Sequence, residues 1–240
     1  MKNANTLFVV LDIETTENCS KKPRLAFDVA WKIIDRKGNE YGAGSYLISE
    51  VLKMALPYYK KKWPQYIIDH ENGLIEYATI SQVIDTLNGQ MNTLRQKGHR
   101  VIICAYNARF DLTWLPFTYH HVTGDQSTDK FDLWNDLLDI WDFWGQSVPK
   151  CYTAEKTESG KFLSTSAESA YRYETLQPHF EEMHIAHHDV EIEVDILLKA
   201  LKRKKKMPIA QRKEQMPGAI WKKINERVNP TIVAQMSMFY

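Results

Sequence analysis

Residues 7–16 read LFVVLDIETT. The run 7–11 is continuously apolar and rich in valine, the pattern of a central strand. Asp12 and Glu14 follow it directly. Residues two apart on a strand point to the same face, so the strand ends with two carboxylates side by side. Such a pair is self-repelling. A divalent cation relieves the repulsion, and Mg²⁺ prefers carboxylate oxygen and water. The competing reading of the pair is a helix cap next to a surface acid.

Working outward, FDVAWKII at 27–34 predicts a second strand and 41–48 a third. DRKGN at 35–39 is the turn between them, giving an antiparallel meander of three. Residues 50–76, with KKKW at 60–63, are polar, aromatic and basic and read as helix and loop. Ile80, Val83, Ile84, Leu87, Met91 and Leu94 recur at helical spacing, which predicts an amphipathic helix over 79–97. VIICA at 101–105 is a short strand, and a helix follows from Arg109. Residues 152–166 read as a hairpin or a mobile loop, and 167–175 as a short helix. A longer helix starts near Asp189, with Val190, Val194, Leu197, Leu198 and Leu201 as its apolar stripe. It ends in KRKKK at 202–206, close to Pro208, and 218–228 is a further helix. Strands first, then alternating helix and strand, make an α/β or α+β domain.

Two more segments carry chemistry. In AYNARFDLTWL, 105–115, the strand delivers the chain to a helix whose first turn holds Asp111, where the helix dipole also favours a negative charge. In HIAHHD, 184–189, a loop histidine leads into a carboxylate at a helix start. Histidine titrates near neutral pH and can take a proton from an attacking water. Three histidines in six residues also admit a zinc site, but no cysteine lies nearby and carboxylates are the stronger theme.

Together these motifs resemble the DEDDh 3′→5′ exonucleases, which include the proofreading subunit of bacterial replicative DNA polymerase, RNase T and oligoribonuclease. The Asp-x-Glu motif is matched by Asp12 and Glu14, followed by Thr15 and Thr16. The Asn-Ala-x-Phe-Asp motif is matched by Asn107, Ala108, Arg109, Phe110 and Asp111, and the terminal His-x₄-Asp by His184 and Asp189. The order is that of the family, and the resemblance spans roughly 7–201. A second pair, His188 and Asp195, is seven apart (195 − 188), whereas His184 and Asp189 are five apart (189 − 184), the family spacing. His187 and His188 then read as packing or surface residues. Glu17 stands where the family often has glycine, which leaves the ligands in place but alters the nucleotide pocket.

The resemblance implies an RNase H-like exonuclease fold, a mixed central sheet flanked by helices. It implies an exonuclease domain over 1–206 with a C-terminal extension, 207–240, packed on it. It implies Asp12, Glu14, Asp111 and Asp189 as ligands of two Mg²⁺ ions, with Mn²⁺ able to substitute, and His184 as general base. Thr15, Thr16, Asn107 and Phe110 would contact the substrate, a single-stranded 3′ end that releases nucleoside monophosphates. DNA is the expected substrate. RNA, as in an exoribonuclease or oligoribonuclease, is the alternative. A dead nuclease acting as a binding module would be expected to have lost ligands, and all are present. No polymerase domain is recognisable, so proofreading would need a DNA polymerase or replication partner. The compact domain with its extension somewhat resembles phage-encoded nucleases, whose setting would be the host cytoplasm.

Composition sets bounds. The 240 residues suffice for one large core, and a net charge of +1 excludes an overall polycationic coat while leaving room for a local basic groove. No stretch approaches the apolar length of a bilayer span, so no membrane partner is expected. Cys19, Cys104 and Cys151 form neither a CxxC pair nor a disulfide framework, which points to a reducing, cytoplasmic setting. Lys60–Lys62 and the 202–206 run could track phosphates, though each also reads as a solvated face. Trp63, Trp114, Trp141 and Trp144 could stack on bases, with Trp114 and Trp141 better read as core.

Overall fold

The computed structural model describes residues 5–16, 23–55 and 59–228; Glu17, Cys19 and 229–240 lie outside them. Three strands come first: β1 (Thr6–Thr15), β2 (Ala26–Asp35) and β3 (Glu40–Ile48). Then follow α1 (Leu52–Ala55), α2 (Trp63–Glu71), β4 (Glu76–Ala78), α3 (Ile80–Gln96), β5 (Arg100–Ala105) and α4 (Ala108–Thr123). The chain continues through β6 (Leu137–Asp139), α5 (Ile140–Ser147), α6 (Ala167–Thr175), α7 (Ala186–Arg203) and α8 (Ile220–Val228). One mixed sheet runs β4-β3-β2-β1-β5-β6.

β1 is central because both its edges are paired, antiparallel to β2 and parallel to β5. Its alternation divides the core. Leu7, Val9, Leu11 and Ile13 face the layer containing α3 and α4, while Phe8 and Val10 face the layer of α5 and α7. Asp12 and Glu14 continue that second face, within the strand itself rather than after it. Glu14 lies opposite Asp28 on β2, and the register shifts at Glu14/Thr15. A bulge there re-aims the strand end, as bulges beside active sites do.

Local chemistry explains the main elements. The β2–β3 turn is held by the Asp35 carboxylate, which accepts from the backbone N–H groups of Lys37 and Asn39, with Gly38 at φ +87°. Thr79 and Gln82 form a capping box at the start of α3. The short strand β6 and helix α5 were not evident from the sequence. Residues 152–166 form a minimal hairpin, closed by one bridge between Lys156 and Leu163.

Beyond α7, Ala210 bridges to Leu137 on β6, and α8 packs on α5. Gly145 makes that packing possible, because a Cβ there would collide with the Ile224 side chain. The Asn225 side chain accepts from the Leu163 N–H and donates to the Leu163 carbonyl, tying α8 to the hairpin. Among the described residues Cys104 and Cys151 are free thiols, and no helix is long and apolar enough to cross a membrane.

Candidate active site

Three elements bring carboxylates to the C-terminal end of β1. β1 supplies Asp12 and Glu14. β5 ends at Ala105, and Asn107, in the left-handed region at φ 63°, turns the chain into α4. Asp111 in the first turn of α4 is thereby buried, and its Oδ1 accepts from the Ile13 backbone N–H at 3.3 Å. α7 supplies Asp189 from its first turn, also buried. The side chains of Glu14, His184 and Asp189 bring one ligand atom each within 4.8 Å of the others.

The electrostatics of this end are one-sided. Burial, then the charges of Glu193, Asp111, Asp189 and Glu14, raise the Asp12 carboxyl well above its usual range. Burial raises Asp111 likewise. Burial pushes Glu14 up to about 8, against the opposing effect of the Tyr59 hydroxyl, which donates to its Oε2 at 2.5 Å. Burial and the nearby Glu182 and Glu14 push Asp189 up to about 9. Asp12 Oδ2 and Asp189 Oδ1 are buried without a hydrogen-bond partner among the described residues. Carboxylates crowded and orphaned in this way are an all-oxygen donor set suited to hard divalent cations.

His184 sits in the loop before α7 with φ 51° and an exposed side chain. Partial burial and the positive Lys62 hold its imidazole below the usual histidine pKa, so it is neutral at pH 7 and able to accept a proton. Lys62 also donates to the His184 carbonyl at 3.5 Å, and its charge opposes the upward shifts of Glu14 and Asp189. The other pair considered from sequence falls elsewhere. Asp195 is exposed on α7 among Glu191, Lys199, Lys202 and Lys32, while His188 faces Asp69.

The candidate substrate contacts divide. The Thr16 hydroxyl accepts from the Leu25 N–H at 3.0 Å and so ties the end of β1 to its own loop. Thr15 and Phe110 are half-buried and Asn107 is exposed. Arg24 lies over the rings of Phe110 and Trp114, 5.5 and 5.6 Å from their centroids. Trp144, one of the possible stacking residues, is fully buried and donates to Glu174, so it is core and unavailable to a base. Trp141 stacks on Tyr106. The 202–206 run lies far from the acids. Thirteen residues separate Asp189 from Lys202 (202 − 189), about 20 Å along a helix.

Sequence reasoning missed Tyr59, Glu182 and Glu193, and had Lys62 only as one of three lysines that could track phosphates. Tyr59 and Lys62 come from the segment before and at the start of α2, and Glu182 from the loop before α7. Glu193 is buried, accepts from the Tyr106 N–H at 3.1 Å and lies near Asp12, Asp111 and Asp189. Its signal was present: it stands four residues after Asp189 and therefore on the same helix face.

No sequence-family model matches the chain, and no curated protein matches it by sequence. Solved structures do. The nuclease domain of 3′hExo, a DEDDh family member bound to rAMP, superposes with a TM-score of 0.60 at 10% identity, over 86% of this chain and 96% of that one. A 3′-exonuclease studied in 3′-end specific recognition of histone mRNA stem-loop gives 0.58 at 10% identity, over 88% and 92%. Cell-death related nuclease 4 gives 0.58 at 14% identity, over 98% and 79%. With its six-stranded mixed sheet and flanking helices, this chain has the RNase H-like fold of the DEDDh exonuclease domains.

Proposed function

We propose that this protein is a metal-dependent 3′→5′ exonuclease, with Asp12, Glu14, Asp111 and Asp189 as metal ligands and His184 as general base. The observation that carries the reading is the meeting of these carboxylates, beside a neutral histidine, on a fold shared with 3′-exonuclease domains. Divalent ions bound there, Mg²⁺ with Mn²⁺ as substitute and two per site, would supply the positive charge that phosphodiester hydrolysis needs at the attacked phosphate and the leaving 3′-oxygen. His184 would take the proton of the attacking water. Tyr59 would hold Glu14 in orientation through its hydroxyl, and Lys62 would add positive charge beside the phosphate. Thr15, Asn107 and Phe110 remain the proposed contacts to the terminal nucleotide.

DNA is the substrate proposed first, with a single-stranded or frayed 3′ end. RNA is the second reading, and its support is that solved structures of the same fold include one bound to rAMP and one of 3′-end recognition of a histone mRNA stem-loop. The choice rests on how the pocket treats the 2′-OH. Parallel digestion of matched single-stranded DNA and RNA, each labelled at the 5′ end, tests it. Faster shortening of DNA is expected, and faster shortening of RNA would reverse the assignment.

A further inference from the structure

A second cluster of metal-binding side chains lies outside the carboxylate centre. Asp69, on α2, is 2% exposed. Its Oδ1 accepts from Gln65 at 2.8 Å, which fixes the carboxylate, while its Oδ2 has no hydrogen-bond partner among the described residues. That orphan oxygen faces His187 Nε2 at 3.7 Å and His188 Nε2 at 3.5 Å. Both nitrogens are themselves buried and without a hydrogen-bond partner among the described residues, as is His187 Nδ1. Adjacent helix residues point about 100° apart and do not normally meet. Here the two rings stand 4.0 Å apart, centroid to centroid, over one carboxylate.

Hydrogen bonding does not account for this arrangement, because N–H···O bonds run at about 2.7–3.2 Å. Coordination does. Metal–ligand lengths of about 2.0–2.2 Å at near-tetrahedral angles place donor atoms about 3.3–3.6 Å apart, close to the two separations seen. We infer that Asp69, His187 and His188 form a binding site for one divalent transition-metal ion of the zinc type, bound through two imidazole nitrogens and one carboxylate oxygen. Two imidazoles and a single carboxylate select zinc, cobalt or nickel over magnesium. His187 and His188 also line a groove of about 420 Å³ beside β2 and β3.

The ion would fasten α2 to the first turn of α7. The same junction is already made once by Asp28, whose Oδ2 accepts from Tyr66 of α2 and from the Ala186 N–H at the start of α7. Asp189 follows His188 directly, and Lys62 precedes α2, so the clip would hold two elements that line the carboxylate centre. The site needs no assumption about the reaction.

The test uses the whole protein, stripped of metal, in saturating Mg²⁺ so that the carboxylate centre is occupied by the harder ion. Co²⁺ is the probe, read by its visible d–d absorption and by equilibrium dialysis. The expected result is one Co²⁺ per chain with the intense absorption of a tetrahedral site, displaced by Zn²⁺, together with a rise in Tm. Asp69→Asn and His188→Gln should each weaken Co²⁺ binding by about 100-fold or more, and His184→Ala should leave it unchanged. Absence of tetrahedral Co²⁺ from the unmutated protein would overturn the inference, as would loss of the band in His184→Ala with retention in folded Asp69→Asn and His188→Gln.

Discussion

The backbone at His184 lies in the left-handed region, φ 51°, where histidine is seen more often than most side chains but still rarely. That turn leads into Ile185, the N-cap of α7, and brings the ring to Glu14 and Asp189. If the imidazole is the general base, His184→Ala should lower single-turnover cleavage about 10²–10⁴-fold while leaving metal binding intact; a drop of less than threefold at saturating Mg²⁺ would remove it from that role. Glu193 makes a different prediction. It is a buried carboxylate raised by burial and by Asp111, so in metal-free protein at pH 8 it opposes folding. Glu193→Gln keeps an oxygen for the Tyr106 N–H and should stabilise the chelated protein by about 1–3 kcal/mol in urea unfolding. Destabilisation would mean that the charge is matched by a partner. Asp12, Glu14, Asp111, His184 and Asp189 were legible as residues because each sits in a short local motif. Tyr59 and Glu182 were not, because only the folded chain brings them to the site.

At the scale of elements, legibility followed length and pattern. The meander was readable from three apolar runs and one turn, and α3 from seventeen residues with a clean stripe and a capping box. β1 proved longer than its apolar run, because antiparallel pairing with β2 carries Asp12 and Glu14 into the strand. α7 begins at Ala186, three residues before the expected start at Asp189, and so takes in His187 and His188. β6 has three residues, and α5 has eight with Ile140, Asp142, Phe143, Trp144 and Gly145 all buried. Too short and buried too far round, such a pair shows no periodicity in sequence. The junction of α5 with α8 offers a test at this scale. Gly145→Ala would press a methyl group into Ile224 and should cost about 1–3 kcal/mol, read as a lower urea midpoint at unchanged slope. A midpoint equal to that of the unmutated protein would show that α8 can shift without loss.

The whole molecule carries the cost of gathering acids in one place. Glu14 is raised to about 8 and Asp189 to about 9, against ordinary values of 4.5 and 3.8. Below about pH 3 both groups are largely protonated, folded or unfolded, and impose no penalty. Above that the unfolded chain loses its protons first, while the fold keeps them until pH 8–9, so stability should fall as pH rises across this window. Thermal melts in chelator should therefore show Tm decreasing from pH 5 to pH 9, and excess Mg²⁺ should remove most of the slope by replacing the protons. A Tm that climbs with pH in chelator would contradict the electrostatics described for this end of β1. The central claim, however, is catalytic, and one measurement meets it directly: digestion of 5′-labelled and 3′-labelled single strands by the purified protein, with and without divalent ions. The account predicts a ladder shortening from the 3′ end, nucleoside monophosphates released from the 3′ label, and no product in chelator until Mg²⁺ or Mn²⁺ is restored. Shortening from the 5′ end, cleavage that persists without divalent ions, or intact strands in Mg²⁺ and Mn²⁺ alike would contradict it.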